Sequence, residues 1–456
     1  MHRAHVRRNV TYARGLRLDV YRSRGARGPL PAVLLGGPPG FGKDSAQKIG
    51  WAQLISASGM AAVAFDIRSD NYLTEPQAPS ADVAAAIAYV RAHAARLGID
   101  PQRLCTLGFS YGTAPWHLWA TMRDPQPWLR CNIVFYGPLG FDEPALAEFS
   151  ALTYLHRDGA HIPPMLVVKA GRDEAAINDS IDRFAAEARA VHADVRVVTN
   201  PGAAHGFDLG ARTARAKAVV AEALRFLQAR LAKPLRLDHD CVTAQERAAT
   251  VRFFASDDTR LIGVELGSGL RGVVFAHQGG GAPASLCAWV PYGRHLAAAG
   301  YHVLAFDHRD FASSGGSPVS ANTRRVDLDV IAAVDELRRR GATSIVLGGA
   351  SLGGAAVLAA APRIDPPVQG VISFAAPDRY VTVDAMAAVR ISTIPSLFIS
   401  AADDDPFAQL AYEFYDASPA PDKQVLIVPG FEHGAPVLED PATAAFVDVW
   451  IAAHSG

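Results

Sequence analysis

Two serines lie in the pattern Gly-x-Ser-x-Gly, and each follows a short apolar run. Ser110 comes after residues 104–109 and Ser351 after residues 345–350. This arrangement is typical of a tight turn from a buried strand into a helix, in which the glycines let the two elements approach and leave the hydroxyl accessible. A serine after a strand is more often only a helix cap. Because the pattern occurs twice in the same context, we interpret both serines as candidate nucleophiles.

A serine hydroxyl becomes a good nucleophile only when a neighbouring base takes its proton and a third group orients that base. In the first half, Asp173 follows the apolar run 165–170, and His205 lies in the loop Pro-Gly-Ala-Ala-His-Gly. Each comes just past the end of a predicted strand, in the order Ser, Asp, His. A single Asp or His at such a place is usually a cap or turn residue, but the three residues together predict a catalytic triad with Ser110.

The second half offers the same parts in the same order. The run 396–400 leads into Ala-Ala-Asp-Asp-Asp-Pro, and His433 lies in the loop Pro-Gly-Phe-Glu-His-Gly, which shares Pro-Gly-x-x-His-Gly with the first half. Alignment of the strand ends makes Asp404 the acid of this second triad. Asp403 and Asp405 remain alternatives to it.

Backbone amides must also stabilise the oxyanion of a tetrahedral intermediate. One amide normally belongs to the residue after the nucleophile, which is Tyr111 in the first half and Leu352 in the second. The other comes from the loop after the first central strand, where Pro38 and Pro39 are excluded because proline carries no amide hydrogen. The candidates in these loops are Gly37, Gly40 and Phe41 in the first half and Gln278 and Gly279 in the second.

A different motif, Gly-x-x-x-x-Gly-Lys, ends at Lys43 and is typical of phosphate-binding loops. The next residue is Asp44, where a nucleotide-binding loop has the Ser or Thr that binds magnesium, and a carboxylate there would repel phosphate. The second half repeats the neighbouring strand but has no such loop. The sequence therefore does not favour nucleotide binding.

Buried strands alternate with helical stretches along both halves. Apolar positions at helical spacing predict a helix between Ser80, as its cap, and Gly98, as its stop, and another over 326–340. Strands that are apolar throughout are typical of parallel sheets covered on both faces. The predicted strands are 31–36, 61–66, 104–109, 132–136, 165–168 and 195–198 in the first half and 272–277, 301–307, 345–350 and 396–400 in the second.

The two halves align with each other. Residues 64–68 read Ala-Phe-Asp-Ile-Arg and residues 305–309 read Ala-Phe-Asp-His-Arg. In each half the serine lies 44 positions after the Asp of this motif. This agreement predicts two similar domains in tandem, at 1–235 and 236–456. The repeat is far longer than the repeats of solenoid proteins. Residues 233–248 are polar and without clear period, which indicates a linker or a first edge strand.

Composition limits the classes of partner. The chain has 456 residues, half of them apolar and 20% charged, with a net charge of -1. A chain of this length normally forms two domains, and this composition suits compact folding. There is no basic stripe of the kind that nucleic-acid binding requires. No window of about 18 apolar residues predicts a membrane span.

The four cysteines, Cys105, Cys131, Cys241 and Cys287, are scattered and lack Cys-x-x-Cys spacing. We interpret them as buried thiols and not as metal ligands. Free thiols and the absence of a signal-peptide pattern favour a cytoplasmic location. The sequence gives no indication of a metal site or a cofactor.

These motifs resemble those of a known family. Gly-Phe-Ser-Tyr-Gly, Ala-Gly-Arg-Asp-Glu and Ala-Ala-His-Gly-Phe-Asp make the first half similar to the dienelactone hydrolase and acetyl-esterase branch of the α/β-hydrolases. His-Gln-Gly-Gly-Gly, Ala-Phe-Asp-His-Arg and Gly-Ala-Ser-Leu-Gly-Gly make the second half similar to general serine hydrolases of that fold. Dienelactone hydrolases typically have Cys where this chain has Ser110, which favours ester cleavage over their lactone chemistry.

The resemblance implies an α/β protein with two tandem α/β-hydrolase domains, each a mostly parallel sheet covered by helices on both faces. It implies hydrolysis of a small-molecule carboxylic ester or thioester through an acyl-enzyme, without cofactor. A thioesterase, a lactonase or an acyltransferase would use the same residues, and one half could instead be a silent binding or dimerisation module, as in a homo-oligomer. We expect the apolar segment 149–154 to line the first site.

Overall fold

The computed structural model describes residues 4–68, 75–210, 212–279, 284–316 and 324–456. The chain divides into two compact units, Met1–Lys233 and Pro234–Gly456. Each unit is built around one large sheet, and each is described in turn.

The described part of the first unit forms an eight-stranded sheet in the order β1-β2-β4-β3-β5-β6-β7-β8. The pairs β1–β2 and β2–β4 are antiparallel and the others are parallel. The strands are β1 (His5–Ala13), β2 (Leu16–Arg22), β3 (Leu30–Gly37), β4 (Ala61–Asp66), β5 (Ile99–Phe109), β6 (Leu129–Phe135), β7 (Met165–Ala170) and β8 (Val195–Asn200). The helices are α1 (Ala46–Ala57), α2 (Gln77–Ala92), α3 (Ala94–Leu97), α4 (Ser110–Met122), α5 (Ala151–Asp158), α6 (Ala175–Ala190) and α7 (Ala214–Leu231).

The second unit has a matching eight-stranded sheet within its described ranges, in the order β9-β10-β12-β11-β13-β14-β17-β18 when read from its antiparallel edge. The strands are β9 (Thr250–Phe254), β10 (Arg260–Leu266), β11 (Arg271–Ala276), β12 (His302–Asp307), β13 (Ser344–Ala350), β14 (Gly370–Phe374), β15 (Arg379–Tyr380), β16 (Val383–Asp384), β17 (Ser396–Ala401) and β18 (Lys423–Val428). The helices are α8 (Ala244–Ala248), α9 (Val290–Ala298), α10 (Val326–Arg339), α11 (Leu352–Ala360), α12 (Ala385–Val389), α13 (Phe407–Ala417) and α14 (Pro441–His454). Apart from the small β15–β16 hairpin, the strand order is the same as in the first unit.

Side chains on alternate positions of the central strands face opposite layers of helices, as the pleat of a strand requires. In β3, Val33 packs in the cluster that contains Trp51 of α1, whereas Leu34 packs in the cluster that contains Trp116 of α4. The second unit repeats this arrangement, with apolar clusters on both faces of its sheet. Both faces are therefore covered, and the predicted fold class is confirmed.

Two local predictions need correction. The helix expected to start at Ser80 begins earlier, at Gln77, and Ser80 lies buried within it, where its hydroxyl donates to the Pro76 carbonyl. Serine can satisfy its hydroxyl on the preceding turn, so it does not mark a helix start reliably. Gly98 does end this region, in the left-handed conformation with φ of 67°. Within the segment interpreted as a linker, Thr243 and Glu246 form a capping box that starts α8.

The cysteines are not thiols. Cys105 and Cys131 face each other on adjacent parallel strands, β5 and β6, and form a disulfide. Cys241 and Cys287 form a second disulfide. Cross-strand pairing of this kind depends on sheet register, which sequence spacing does not reveal. Because disulfides persist in oxidising compartments, the argument for the cytoplasm that depended on free thiols is lost. No helix in the described ranges is both long and apolar enough to cross a bilayer.

Candidate active site

Ser110 stands at the turn between β5 and α4. Its φ is 55°, a conformation that non-glycine residues rarely adopt. A Cβ on Gly108 would lie 2.7 Å from the Ala114 Cα, so only glycine lets the strand and helix approach this closely. The Thr113 hydroxyl accepts a hydrogen bond from the Phe109 amide at 2.6 Å, which closes the turn. Together these contacts hold the serine hydroxyl at the end of the strand.

Three of the predicted residues form one hydrogen-bonded chain. His205 Nε2 lies 2.8 Å from the Ser110 Oγ, and His205 Nδ1 lies 2.8 Å from the Asp173 Oδ1. The Asp173 side chain is fully shielded from solvent, whereas 41% of the His205 side chain is exposed. Asp173 also accepts a hydrogen bond from the Glu174 amide. A shielded carboxylate of this kind orients the imidazole with Nδ1–H toward itself and leaves Nε2 to accept the serine proton.

The loop that carries His205 is anchored by residues that the sequence did not indicate. The Tyr136 ring packs against the His205 ring, with centroids 4.6 Å apart. Asp208, three positions after the histidine, accepts hydrogen bonds from Trp51 Nε1 at 2.8 Å, from Gln47 Nε2 at 3.0 Å and from the Tyr136 hydroxyl. Burial and this carboxylate raise the pKa of Tyr136, so its hydroxyl remains a donor. The motif His-Gly-Phe-Asp was the available signal for Asp208.

A cavity of about 500 Å³ opens beside Ser110. Its wall is mainly apolar, and its volume lies within the range of small-molecule sites. The lining includes Lys48, which is only 1% exposed. Burial lowers the pKa of Lys48 to about 7, with a smaller opposing effect from Asp208. A single lysine in an otherwise ordinary helix carries no sequence signal, so this group was missed.

The candidate oxyanion donors of the first half do not all reach this cavity. Tyr111 and Phe41 line it, whereas Gly37 and Gly40 are not among its lining residues. The Phe41 amide donates to the Pro38 carbonyl at 2.9 Å. The loop is folded tightly, because a Cβ on Gly37 would lie 1.8 Å from the Phe41 carbonyl oxygen. The two prolines therefore favour a turn that uses the Phe41 amide internally.

The segment 149–154 does not line the cavity, contrary to our expectation. Phe149 is 1% exposed and its ring lies edge-on to Trp116 of α4, with centroids 5.5 Å apart. The apolar residues of this segment cover α4, the helix that follows the nucleophile. The large apolar side chains that line the cavity and are exposed to solvent are instead those of Phe41 and Leu209.

The second elbow has the same backbone form. Ser351 has φ of 50° and ψ of -118°, and its amide donates to the Phe374 carbonyl at 2.7 Å. A Cβ on Gly349 would lie 2.2 Å from the Gly353 carbonyl oxygen, and one on Gly353 would lie 2.2 Å from the Ala276 carbonyl oxygen. Both glycines of the pattern are therefore required by close backbone contacts.

The second triad is only partly joined. His433 Nδ1 lies 2.8 Å from the Asp404 Oδ2, so the aligned aspartate, and not Asp403 or Asp405, contacts the imidazole. The Phe407 ring packs against His433 with centroids 4.5 Å apart. Among the described residues, no hydrogen bond joins His433 to Ser351.

The predicted oxyanion residues of the second half lie at its elbow. A Cβ on Gly279 would lie 3.0 Å from the Leu352 side chain, which places the Gly279 backbone beside the residue after the nucleophile. Gln278 is 3% exposed, and its side-chain Oε1 accepts a hydrogen bond from the Ala435 amide, close to the histidine loop. Residues 280–283, which follow Gly279 in the sequence, lie outside the described residues.

The lysine of the phosphate-loop-like motif is already paired. Lys43 Nζ lies 2.7 Å from Asp44 and 3.5 Å from Asp19, and its side chain is 4% exposed. Asp66 accepts the Lys43 amide at 3.0 Å. The Lys43 side chain is therefore buried in the first unit and forms ion pairs there. Within the described ranges, no group of three or more His, Cys, Asp or Glu residues could hold a metal ion.

Comparison with protein families agrees with this architecture. Residues 270–380 match the family model described as serine aminopeptidase, S33, and residues 18–126 match the model described as BD-FAE. The first range contains Ser351 and the second contains Ser110. Over these ranges, the two halves of the chain are similar to two different family models. Among curated proteins, no sequence matches the chain.

Three solved structures that are similar to this chain each cover about half of it. A bacterial heroin esterase is 19% identical and covers 50% of this chain and 84% of its own, with a TM-score of 0.41. The carboxylesterase EstE1 from a metagenomic library is 21% identical, with coverages of 50% and 90% and a TM-score of 0.44. A putative dienelactone hydrolase from Klebsiella pneumoniae is 21% identical, with coverages of 49% and 98% and a TM-score of 0.41.

Proposed function

We propose that Ser110 hydrolyses carboxylic esters through an acyl-enzyme, with His205 as general base and Asp173 as the group that orients it. The observation that carries this proposal is the continuous hydrogen-bonded chain from Asp173 through His205 to the Ser110 Oγ. The mainly apolar cavity beside the serine supports a small ester as substrate. A thioester or lactone, or transfer of the acyl group to another acceptor, would use the same groups.

The reaction proceeds in two stages. His205 Nε2 takes the proton from the Ser110 hydroxyl as the Oγ attacks the ester carbonyl, and the same nitrogen returns the proton to the departing alcohol. Water then gives a proton to His205 and attacks the acyl-serine, which releases the acid and restores the hydroxyl. Asp173 accepts the Nδ1–H hydrogen bond and stabilises the imidazolium in both stages.

The Tyr111 amide is our proposed first oxyanion donor. The second proposed oxyanion donor is the Phe41 amide. To donate to the oxyanion, this amide must first break its hydrogen bond to the Pro38 carbonyl. Such a change of partner is consistent with catalytic hydrogen bonds that form only when substrate binds. Removing one oxyanion donor typically costs a factor of about 10² to 10³ in rate.

For the second half we propose a second serine site made of Ser351, His433 and Asp404, with Leu352 and Gly279 or Gln278 as oxyanion donors. The shared strand order of the two sheets supports an origin by duplication. A second candidate is a silent binding or dimerisation module, and the missing Ser351–His433 hydrogen bond favours it. The proposed substrate is a small molecule. If the second half is catalytically silent, we propose that it holds copies of this chain together in a homo-oligomer. A cytoplasmic location would require both disulfides to form or persist there.

A panel of p-nitrophenyl esters of increasing chain length tests the proposal. We expect Ser110→Ala to remove most of the activity on the best ester and Ser351→Ala to remove less. Labelling with a fluorophosphonate, followed by mass spectrometry, identifies the reactive serines. Labelling at neither serine would contradict the hydrolase mechanism, and labelling at Ser351 alone would assign catalysis to the other half.

A further inference from the structure

Lys48 is a buried cation in the wall of the Ser110 cavity. It belongs to the first turn of α1, whose cap is Ser45. Its Nζ lies 4.5 Å from the centroid of the Phe109 ring, next to the nucleophile, and 3.2 Å from the Gln47 Oε1. No ion pair to Lys48 is formed within the described part of the chain. Gln47 satisfies one of the three ammonium donors, so the cavity side of this group is available to a ligand.

The groups around Lys48 belong to several elements. Asp208, on the histidine loop, is held by Gln47 and attracts the ammonium from beyond hydrogen-bond distance. His117, from α4, is neutral because burial lowers its pKa to about 4. His205, Tyr136 and Glu174 also line the cavity. Asp208 and Glu174 are the carboxylates among these groups, and neither forms an ion pair with Lys48.

A buried ammonium without an ion pair is costly, because burial removes its hydration. Its reduced pKa reflects this cost. The first turn of α1 adds a partial positive charge at the same place. An anion that enters the cavity would supply the missing charge and the missing acceptors, and a carboxylate is the anion that small-molecule esters commonly carry.

We propose that Lys48 forms a carboxylate-binding subsite, so that the Ser110 cavity selects esters that carry a carboxylate in addition to the ester bond. The Gln47 side chain fixes the position of the ammonium, and the Phe109 ring supports it from the side of the nucleophile. This inference rests on the proposed function of Ser110 and names its substrate class.

A matched pair of substrates tests the subsite. The esters p-nitrophenyl hemisuccinate and p-nitrophenyl butyrate have acyl chains of equal carbon number, and only the first carries a carboxylate. We expect Lys48→Met to lower kcat/KM for the hemisuccinate by at least about tenfold more than for the butyrate, mainly through KM. Lys48→Arg should restore part of the preference. Lys217→Met, an exposed lysine on α7, is the matched control and should not change the ratio.

The pH dependence gives an independent readout. The preference for the hemisuccinate should decline as the pH rises through about 7, because Lys48 of the free enzyme loses its proton there. Since both esters use the same base, the effect of His205 cancels in the ratio. A preference that stays constant through this range would overturn the proposal.

Competition experiments on the unmodified enzyme cover the case in which the Lys48 variants do not fold. Succinate should inhibit butyrate hydrolysis more strongly than neutral succinamide does. Equal inhibition by succinate and succinamide, or a substrate ratio that Lys48→Met leaves unchanged, would overturn the proposed subsite.

Inhibition by inorganic phosphate that is as strong as inhibition by succinate would overturn the assignment of the subsite to carboxylates. Butyrate hydrolysis that Ser110→Ala does not reduce would instead refute the proposed function, and so the two failures are distinguishable.

Discussion

The indole N–H of Trp51 donates to the Asp208 carboxylate over 2.8 Å and so joins α1 to the loop that carries His205. The same carboxylate accepts from Gln47, and the Tyr136 hydroxyl that it binds belongs to the ring that packs on His205. Asp208 therefore has a positioning role. It links the wall of the cavity to the imidazole without touching the reacting atoms.

We predict that Asp208→Ala lowers kcat by about tenfold or more, because His205 loses the support that keeps Nε2 toward Ser110. It should also cost about 1–3 kcal/mol of stability, since buried donors lose their acceptor. Asp208→Asn, which keeps one oxygen acceptor, should restore part of the activity. Asp182→Ala, at an exposed carboxylate on α6, is the control. Steady-state kinetics with kcat close to that of the parent in Asp208→Ala would show that the loop needs no such anchor.

Asp173→Asn should lower kcat by about 10⁴, because the amide favours the wrong imidazole tautomer. The loss should appear in kcat more than in KM, since substrate binding does not involve Asp173. Asp403→Asn, in the other half, serves as a control at a carboxylate that does not contact a histidine. A decrease of less than about tenfold in Asp173→Asn would mean that this carboxylate is only structural.

The two serines should differ in reactivity. Ser110 already lies within hydrogen-bond distance of its base, whereas His433 forms no such bond to Ser351. We expect a fluorophosphonate to label Ser110 at least about tenfold faster than Ser351, as followed by peptide mass spectrometry over time. His205→Ala and His433→Ala identify the base of each serine. Equal rates at both serines would indicate that the second triad closes readily in solution.

The sequence predicted the elbows and the histidine loops because their chemistry is local. Gly349 is fixed by a clash with Gly353, four residues further along the chain, and His433 lies in a short motif that both halves share. Asp404 could be chosen over its neighbours by alignment of strand ends, and it is the aspartate that contacts His433. The central strands were predictable because they are buried on both faces and so are apolar throughout.

Features that depend on distant contacts were not predictable. Cys105 and Cys131 pair only because β5 and β6 are neighbours in register. Lys48 reaches the cavity because α1 begins directly after the oxyanion loop, and the sequence around it gives no sign of burial. The hydrogen bond from the Phe41 amide to the Pro38 carbonyl likewise depends on the folded shape of the loop.

Acid should destabilise the first unit through His117. Its Nδ1–H donates to the Thr113 carbonyl and its Nε2 accepts from the Gly36 amide, so the folded state holds it neutral. Burial lowers its pKa from 6.5 to about 4. Between these values the unfolded chain binds a proton that the folded chain does not, so stability falls as pH falls, by about 3 kcal/mol in all.

Urea unfolding followed by tryptophan fluorescence at pH 7, 5 and 4 measures this effect, and the expected loss is complete at about pH 4. His117→Gln keeps a donor and an acceptor but does not titrate, so its stability should depend less on pH. A variant with the same acid dependence as the parent would assign the effect to other groups.

Both disulfides should be measurable in the purified protein. The loops they close span sequence separations of 26 and 46 residues, for which chain entropy predicts about 3–4 kcal/mol of stabilisation each. Without reductant, the unfolded protein should not react with a thiol reagent, and reduction should lower the thermal midpoint. Cys241→Ser with Cys287→Ser separates the second bridge from the first. Detection of four thiols before reduction would restore the earlier interpretation.

The two elbows differ in how much change they tolerate. A Cβ on Gly112 would meet only the Pro38 ring, at 3.7 Å, whereas one on Gly353 would collide with a main-chain oxygen. A methyl group at position 112 would line the Ser110 cavity without moving the backbone. The backbone of the first half therefore accepts a small side chain at this position, while the equivalent substitution in the second half requires the main chain to move. If the halves arose by duplication, this difference makes the first half the one free to diversify.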